Sequence, residues 1–166
     1  MLKIYTSRYQ NPELSNGSYT VVGITRGAPK FPLRYVLAGN IIEIAPPGYL
    51  FNEYDRTRFT RPYFANMDRV GVARIRSILN QYLALGKDVV LCCYEDVTKP
   101  GEWCHRLVFA EWWKARTGET IEELQDPSTY KAKQGSGLIL PKKEPEKPKE
   151  PEPEQLSLFG LQPPIA

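Results

Sequence analysis

No apolar run in this chain approaches the roughly 20 residues that a bilayer-spanning helix requires. The longest, "DVVLCC" and "LVFAEWW", stop far short. The opening "MLKIYTSRYQ" has no basic region followed by an apolar one, the pattern of a secretory leader. No membrane partner is expected, and the cytoplasm is the expected location. Cysteine is scarce as well. Three residues, two of them adjacent at Cys92 and Cys93, make a poor disulfide framework and fit a reducing compartment. No Cys-x-x-Cys pair occurs, histidine appears once, as His105, and no internal repeat is visible.

What is present is enough for one core. With 166 residues, 42% hydrophobic and 25% charged, the chain reads as one soluble globular domain with appendages. The net charge of +3 and pI near 8.7 are mildly basic. From residue 133 onward five lysines balance five glutamates, so the excess belongs to the folded part. Between residues 56 and 76 it is concentrated: Arg56, Arg58, Arg61, Arg69, Arg74 and Arg76 face Asp68 alone.

"LKIYTSRY" and "SYTVVGITRG" read as short buried strands, and "RYVLAGNIIEIAPPGYL" as one or two short strands or turns. From Met67 to Leu85, apolar residues from Val70 to Leu83 recur at helical spacing, with Gly86 placed to cap the end. "DVVLCCYE" has the continuous apolar character of a central strand buried on both faces. "CHRLVFAEWWKARTG" is again helical and closes at Gly118. The expected fold is therefore α/β, a small three-layer domain with a mainly parallel sheet, over residues 1–131. A linker follows over 132–154. Its stretch "PKKEPEKPKEPEPE" offers no apolar surface to offset ordering entropy and is expected to stay extended, reaching about 40 Å in polyproline II.

Beyond the linker, residues 155–166 end the chain with apolar side chains that have nothing local to bury against. The peptide Gln155, Leu156, Ser157, Leu158, Phe159 resembles the sliding-clamp-binding motif of bacterial polymerases and repair proteins, and every position matches. In such peptides the glutamine bonds the pocket's edge, while the leucine and the final Leu-Phe pair fill an apolar pocket on the ring. A constraint of this kind arises by chance in roughly one chain of this length per thousand. The resemblance implies a partner, the bacterial sliding clamp (the beta subunit of DNA polymerase III), and hence recruitment to DNA and a nucleoid association.

The folded part carries its own constellation in "LCCYEDVTKPGEWCHRLVFAEWW". On the expected elements, Cys93, Tyr94 and Glu95 lie at the carboxyl end of a central strand, and Cys104, His105 and Arg106 begin the next helix. That sheet edge is where open α/β folds bind ligands, and a helix N-terminus beside an arginine suits an anion such as phosphate. Arg26, after another strand, converges on the same edge. Plainer readings stand beside these. Cys92 is a core thiol, Arg106 pairs with Glu95 or Glu111, and Trp112 and Trp113 pack the helix. Cys93, Cys104 and His105 raise metal ligation, but without a fourth ligand no metal is expected, and no cofactor is identified.

"CYE", "KPGEWCHR" and "AEWW", with "KIYTSRY" and "ITRGAPK" upstream, resemble the proteins grouped as "domain of unknown function 488" over about Lys3 to Leu124. The resemblance implies a small α/β fold and a shared polar set of Ser7, Arg26, Cys93, Tyr94, Glu95, Cys104, His105 and Arg106. It implies no reaction, because that family has no generally accepted activity. The insert "DVTK" lengthens the loop before "PGEWCHR", and the clamp peptide is not a usual part of the family domain.

Arg56, Arg58 and Arg61, interleaved with Tyr54, Phe59, Tyr63 and Phe64, have the composition of a DNA-contacting surface, or of a solvated helix face beside core aromatics. Three functions follow as expectations. The first is a clamp-recruited hydrolase of a phosphodiester or glycosidic bond in DNA or a nucleotide. In it Arg26 and Arg106 hold phosphate, Glu95 or His105 transfers a proton, and Cys104 is a candidate thiol nucleophile. The second is a clamp-binding adaptor or inhibitor without chemistry, and the third a thiol or metal sensor.

Overall fold

Five strands form one all-parallel sheet in the order β3-β2-β4-β1-β5. The computed structural model describes residues 1–135. The strands are β1 (Ile4–Arg8), β2 (Tyr19–Gly23), β3 (Leu37–Asn40), β4 (Asp88–Cys93) and β5 (Glu122–Glu123). The helices are α1 (Arg56–Val70), α2 (Val72–Leu83), α3 (His105–Thr117) and α4 (Tyr130–Gly135). The terminal peptide Gln155–Phe159 and all of the linker beyond residue 135 lie outside the described residues. The expected domain boundary at 131 falls inside α4.

The strand order determines which face each connection covers. A right-handed crossover places its connection on a face set by the direction of travel across the sheet. The chain moves one way from β1 to β2 to β3, and the other way from β3 to β4 to β5. Accordingly α1, α2 and α3, which lie in the last two connections, bury Phe59, Tyr63, Ile75, Leu79, Phe109, Trp112 and Trp113 against Val22, Val89 and Leu91. The first two connections supply the third layer without a helix of normal length. A 3-10 turn (Pro12–Asn16) places Leu14, and the loop 24–36 places Phe31, Leu33 and Tyr35, over Val21, Val90 and Cys92.

β4 is hydrogen-bonded on both sides, to β1 and β2, and five of its six residues are buried, as its unbroken apolar run requires. The helix read from Met67 to Leu85 is instead the end of α1 and the whole of α2. Gly71, at φ 85° and ψ 144°, adopts a conformation costly for other residues and separates the two. The arginine-rich stretch before it is α1 itself, capped by the Asp55 carboxylate, which accepts from Arg58 N–H at 3.0 Å. Among the described residues no helix is long and apolar enough to cross a membrane.

Candidate functional site at the carboxyl edge of the sheet

β2 and β4 deliver Thr25 and Arg26, and Cys93, Tyr94 and Glu95, to the same edge, and α3 begins there with Cys104 as its N-cap. Side chains along β4 alternate. Val89 and Leu91 belong to the core beneath the helices and Val90 and Cys92 to the opposite cluster, so Cys93 turns toward α3. Its Sγ lies 3.4 Å from Nδ1 of His105 and donates to Oε2 of Glu95 at 3.0 Å. Sγ of Cys104 lies 3.6 Å from the same Nδ1. On the far side of the ring, Nε2 is 2.7 Å from the main-chain oxygen of Ile24. A carbonyl only accepts, so Nε2 carries a proton, and Nδ1 is the atom aimed at the two sulfurs.

The electrostatics of this group are internally linked. Burial opposes ionisation of Cys104, but the hydrogen bond from Cys93, the His105 ring and the Arg106 charge outweigh it and hold Cys104 well below the usual thiol range. Burial, with the negative charge of Cys104 and Glu95, drives Cys93 upward. Burial opposes charging His105, yet the adjacent Cys104 thiolate raises it, and burial followed by the same thiolate raises Glu95. Of the two, Cys104 is therefore the more readily ionised.

A cavity of about 500 Å³ opens onto these residues. Its wall is aromatic, built from Phe51, Tyr54, Phe59, Tyr94 and Trp103. Its charged lining sets Arg26 against Glu53, Glu95 and Glu102. Trp103 is fixed by its Nε1 donating to the Tyr54 carbonyl at 2.9 Å and by an edge contact to Phe59, with centroids 4.9 Å apart. Tyr94 packs on Tyr9 and donates to the Gly27 carbonyl at 3.1 Å.

The expected polar set divides. Cys93, Tyr94, Glu95, Cys104, His105 and Arg26 line the cavity, Arg26 through an exposed side chain whose Nε donates to the Pro46 carbonyl at 2.6 Å. Ser7 and Arg106 do not. The Ser7 side chain meets Asn11, whose Nδ2 donates to it at 3.0 Å. Arg106 is 1% exposed and its fork bonds the Glu123 carboxylate at 2.8 to 3.1 Å, while Nη1 bonds the Glu95 carbonyl at 2.9 Å. It is a structural ion pair, though with Glu123 rather than the expected Glu95 or Glu111 side chains.

Cys92 is a buried core thiol, and Trp112 and Trp113 are packed inside. Phe59 and Tyr63 are stacked in the core, which withdraws both from the solvent-facing side of α1, although Phe59 also lines the cavity. Arg56 is bonded to Glu111, Arg74 to Glu43 and Arg76 to Glu119. Arg61 lines a shallow depression with Arg56 and Arg116.

No family model, curated protein or solved structure matches this chain.

Sequence reasoning missed Trp103 as a cavity wall, the Ile24 carbonyl as the histidine's anchor and Glu123 as the arginine's partner. The tryptophan had a signal, its place in the loop between Glu95 and Cys104. The other two had none, since a main-chain oxygen and a glutamate on a two-residue strand carry no pattern.

Proposed function

We propose that the chain is a hydrolase of nucleic-acid metabolism, recruited to DNA through the bacterial sliding clamp, that takes a base-bearing substrate into the cavity at the sheet's carboxyl edge. The observation that carries this reading is the convergence of Cys93, Cys104, His105 and Glu95 on one aromatic-walled cavity. Five aromatic side chains suit a flat heterocycle, and one arginine against three carboxylates suits a phosphodiester chain poorly. Of the two bonds expected from the sequence, the glycosidic one fits this lining better.

In that reaction Glu95, whose raised carboxyl retains a proton more readily than an exposed one, exchanges a proton with the leaving base or the attacking water. The Cys104 and His105 pair supplies fixed charge beside it. Arg106 acts as a positioning residue by holding the Glu95 carbonyl. Arg26 at the rim meets a flanking phosphate. Recruitment rests on the match of Gln155 to Phe159 with clamp-binding peptides, and kinship with the "domain of unknown function 488" proteins on "CYE" and "KPGEWCHR".

The test uses the full chain with clamp-loaded duplexes carrying methylated, deaminated or oxidised bases, with products read by mass spectrometry. Expected is release of a base that Glu95→Gln and His105→Ala abolish, and that changing Leu158 and Phe159 to Ala weakens only where the clamp is needed. Absence of release from every duplex, or release indifferent to Glu95→Gln, contradicts the chemistry. Failure of a peptide of residues 153–166 to displace a fluorescent clamp ligand at tens of micromolar contradicts the recruitment.

A further inference from the structure

We propose that Cys93, Cys104 and His105 bind a divalent cation of the zinc class through Sγ, Sγ and Nδ1. Two thiolates and an imidazole are the soft and borderline donors that select zinc over magnesium or calcium. All three donor atoms lie within 4.8 Å of one another.

Both sulfur–nitrogen spacings fit closely. With a metal–sulfur bond of about 2.3 Å and a metal–nitrogen bond of about 2.05 Å, neighbouring sulfur and nitrogen ligands of a tetrahedral site stand about 3.6 Å apart. The two sulfur–nitrogen distances here are 3.4 and 3.6 Å. The ligand atoms come from a strand end and a helix start, which hold their positions more firmly than loop residues do.

Outside the ligand set, the structure has the support a metal-bound histidine needs. Nε2–H donates to the Ile24 carbonyl at 2.7 Å, which fixes the ring with Nδ1 directed at the sulfurs. Each thiol that ligates gives up its proton as its metal–sulfur bond forms, and the Glu95 carboxylate, 3.0 Å from Cys93 Sγ, stands ready to receive one.

Three protein ligands leave one tetrahedral position free, and the ligands border the cavity. That is the arrangement of a catalytic zinc rather than a closed structural one. A Cys₂His set with a nearby glutamate outside it is also how zinc nucleobase deaminases activate water. Binding of the cation does not depend on the base-hydrolysis reading. The two fail separately: base release by a protein that gives no thiolate-to-cobalt band removes this one alone, and bound metal without base release removes the other alone.

The experiment uses full-length protein free of added histidine tags. Metal content by mass spectrometry is expected to approach one zinc per chain. After chelation, Co(II) is expected to give the sulfur-to-cobalt charge-transfer band and the intense visible bands of a tetrahedral site. Cys93→Ser and His105→Gln are expected to weaken Co(II) binding by about tenfold or more, while Cys92→Ser, one residue away on the opposite face, leaves the spectrum intact. A chelated wild-type protein that remains folded by circular dichroism and gives no thiolate charge-transfer band overturns the proposal, whether or not the variants fold. So does a cobalt spectrum that Cys93→Ser leaves unchanged.

Discussion

Nε2 of His105 donates to the main-chain oxygen of Ile24 at 2.7 Å and so ties the first residue of α3 to the chain leaving β2. The bond orients the imidazole and satisfies a buried carbonyl at the same time. Removing the ring in His105→Ala strands that acceptor, at a cost of about 1–3 kcal/mol. Urea denaturation measures it. An unchanged midpoint shows that the bond does not hold α3 to β2 in solution.

Arg106 is held by Glu123 on one side and by the Glu95 carbonyl on the other, with the arginine buried and the carboxylate about one-third exposed. Arg106→Met leaves that carboxylate without its partner and is expected to destabilise the domain by about 3 kcal/mol. Arg106→Lys keeps the charge but loses the fork, and its stability should fall between the two. A lysine variant as stable as the wild type contradicts the bidentate geometry.

Asp68 accepts from Arg116 Nε and Nη2 and from Trp112 Nε1, all at 2.8 Å. The Arg116 bonds, then the Trp112 bond, lower its carboxyl from 3.8 to about 2. A group depressed in the folded state contributes stability above its unfolded value, lost as pH falls through the folded one, so the window runs from 3.8 down to about 2. Because the pair is nearly half exposed, solvent screens it and the contribution is small. Asp68→Asn should flatten the acid limb of Tm against pH in that window and leave its shape near neutrality unchanged.

Among the described residues Arg58 and Arg61 have no carboxylate partner, unlike Arg56, Arg74 and Arg76. If this face of α1 meets phosphate, Arg58→Ala with Arg61→Ala should reduce the slope of log affinity against log salt by about 0.9 for each phosphate that these two side chains neutralise. Arg56→Ala, already neutralised by Glu111, should change it less. Fluorescence anisotropy with a labelled duplex reads both, and identical slopes for all three proteins remove the DNA-contacting role from α1.

Much of the fold is legible because its central elements have strong local signals. "DVVLCC" is too apolar for anything but a doubly buried strand, and α3 ends at a glycine with φ 77°, as its pattern implies. α1 was obscured by Pro62, which sits inside the helix, and by Gly71, which ends it. β3 and β5, "LAGN" and "EE", are edges whose pairing is imposed by the neighbouring strand rather than by their own residues.

The site was partly legible for a similar reason. Cys93, Glu95, Cys104 and His105 flank one strand-to-helix connection and so must lie at one edge. Arg106 is next to His105 in sequence, but one helical step of about 100° sends it to β5 instead of the cavity. Ser7 is misplaced by the pleat, since neighbouring residues of a strand point to opposite faces.

A nuclear magnetic resonance titration of the ¹⁵N-labelled full chain with nucleosides tests most directly whether the aromatic cavity receives a base. Saturable shifts are predicted at Thr25, Tyr94, Glu95 and the Trp103 indole N–H, attenuated in Glu95→Gln. No shift at millimolar nucleoside, or shifts confined to the arginines of α1, would contradict a base-binding site at the carboxyl edge of the sheet.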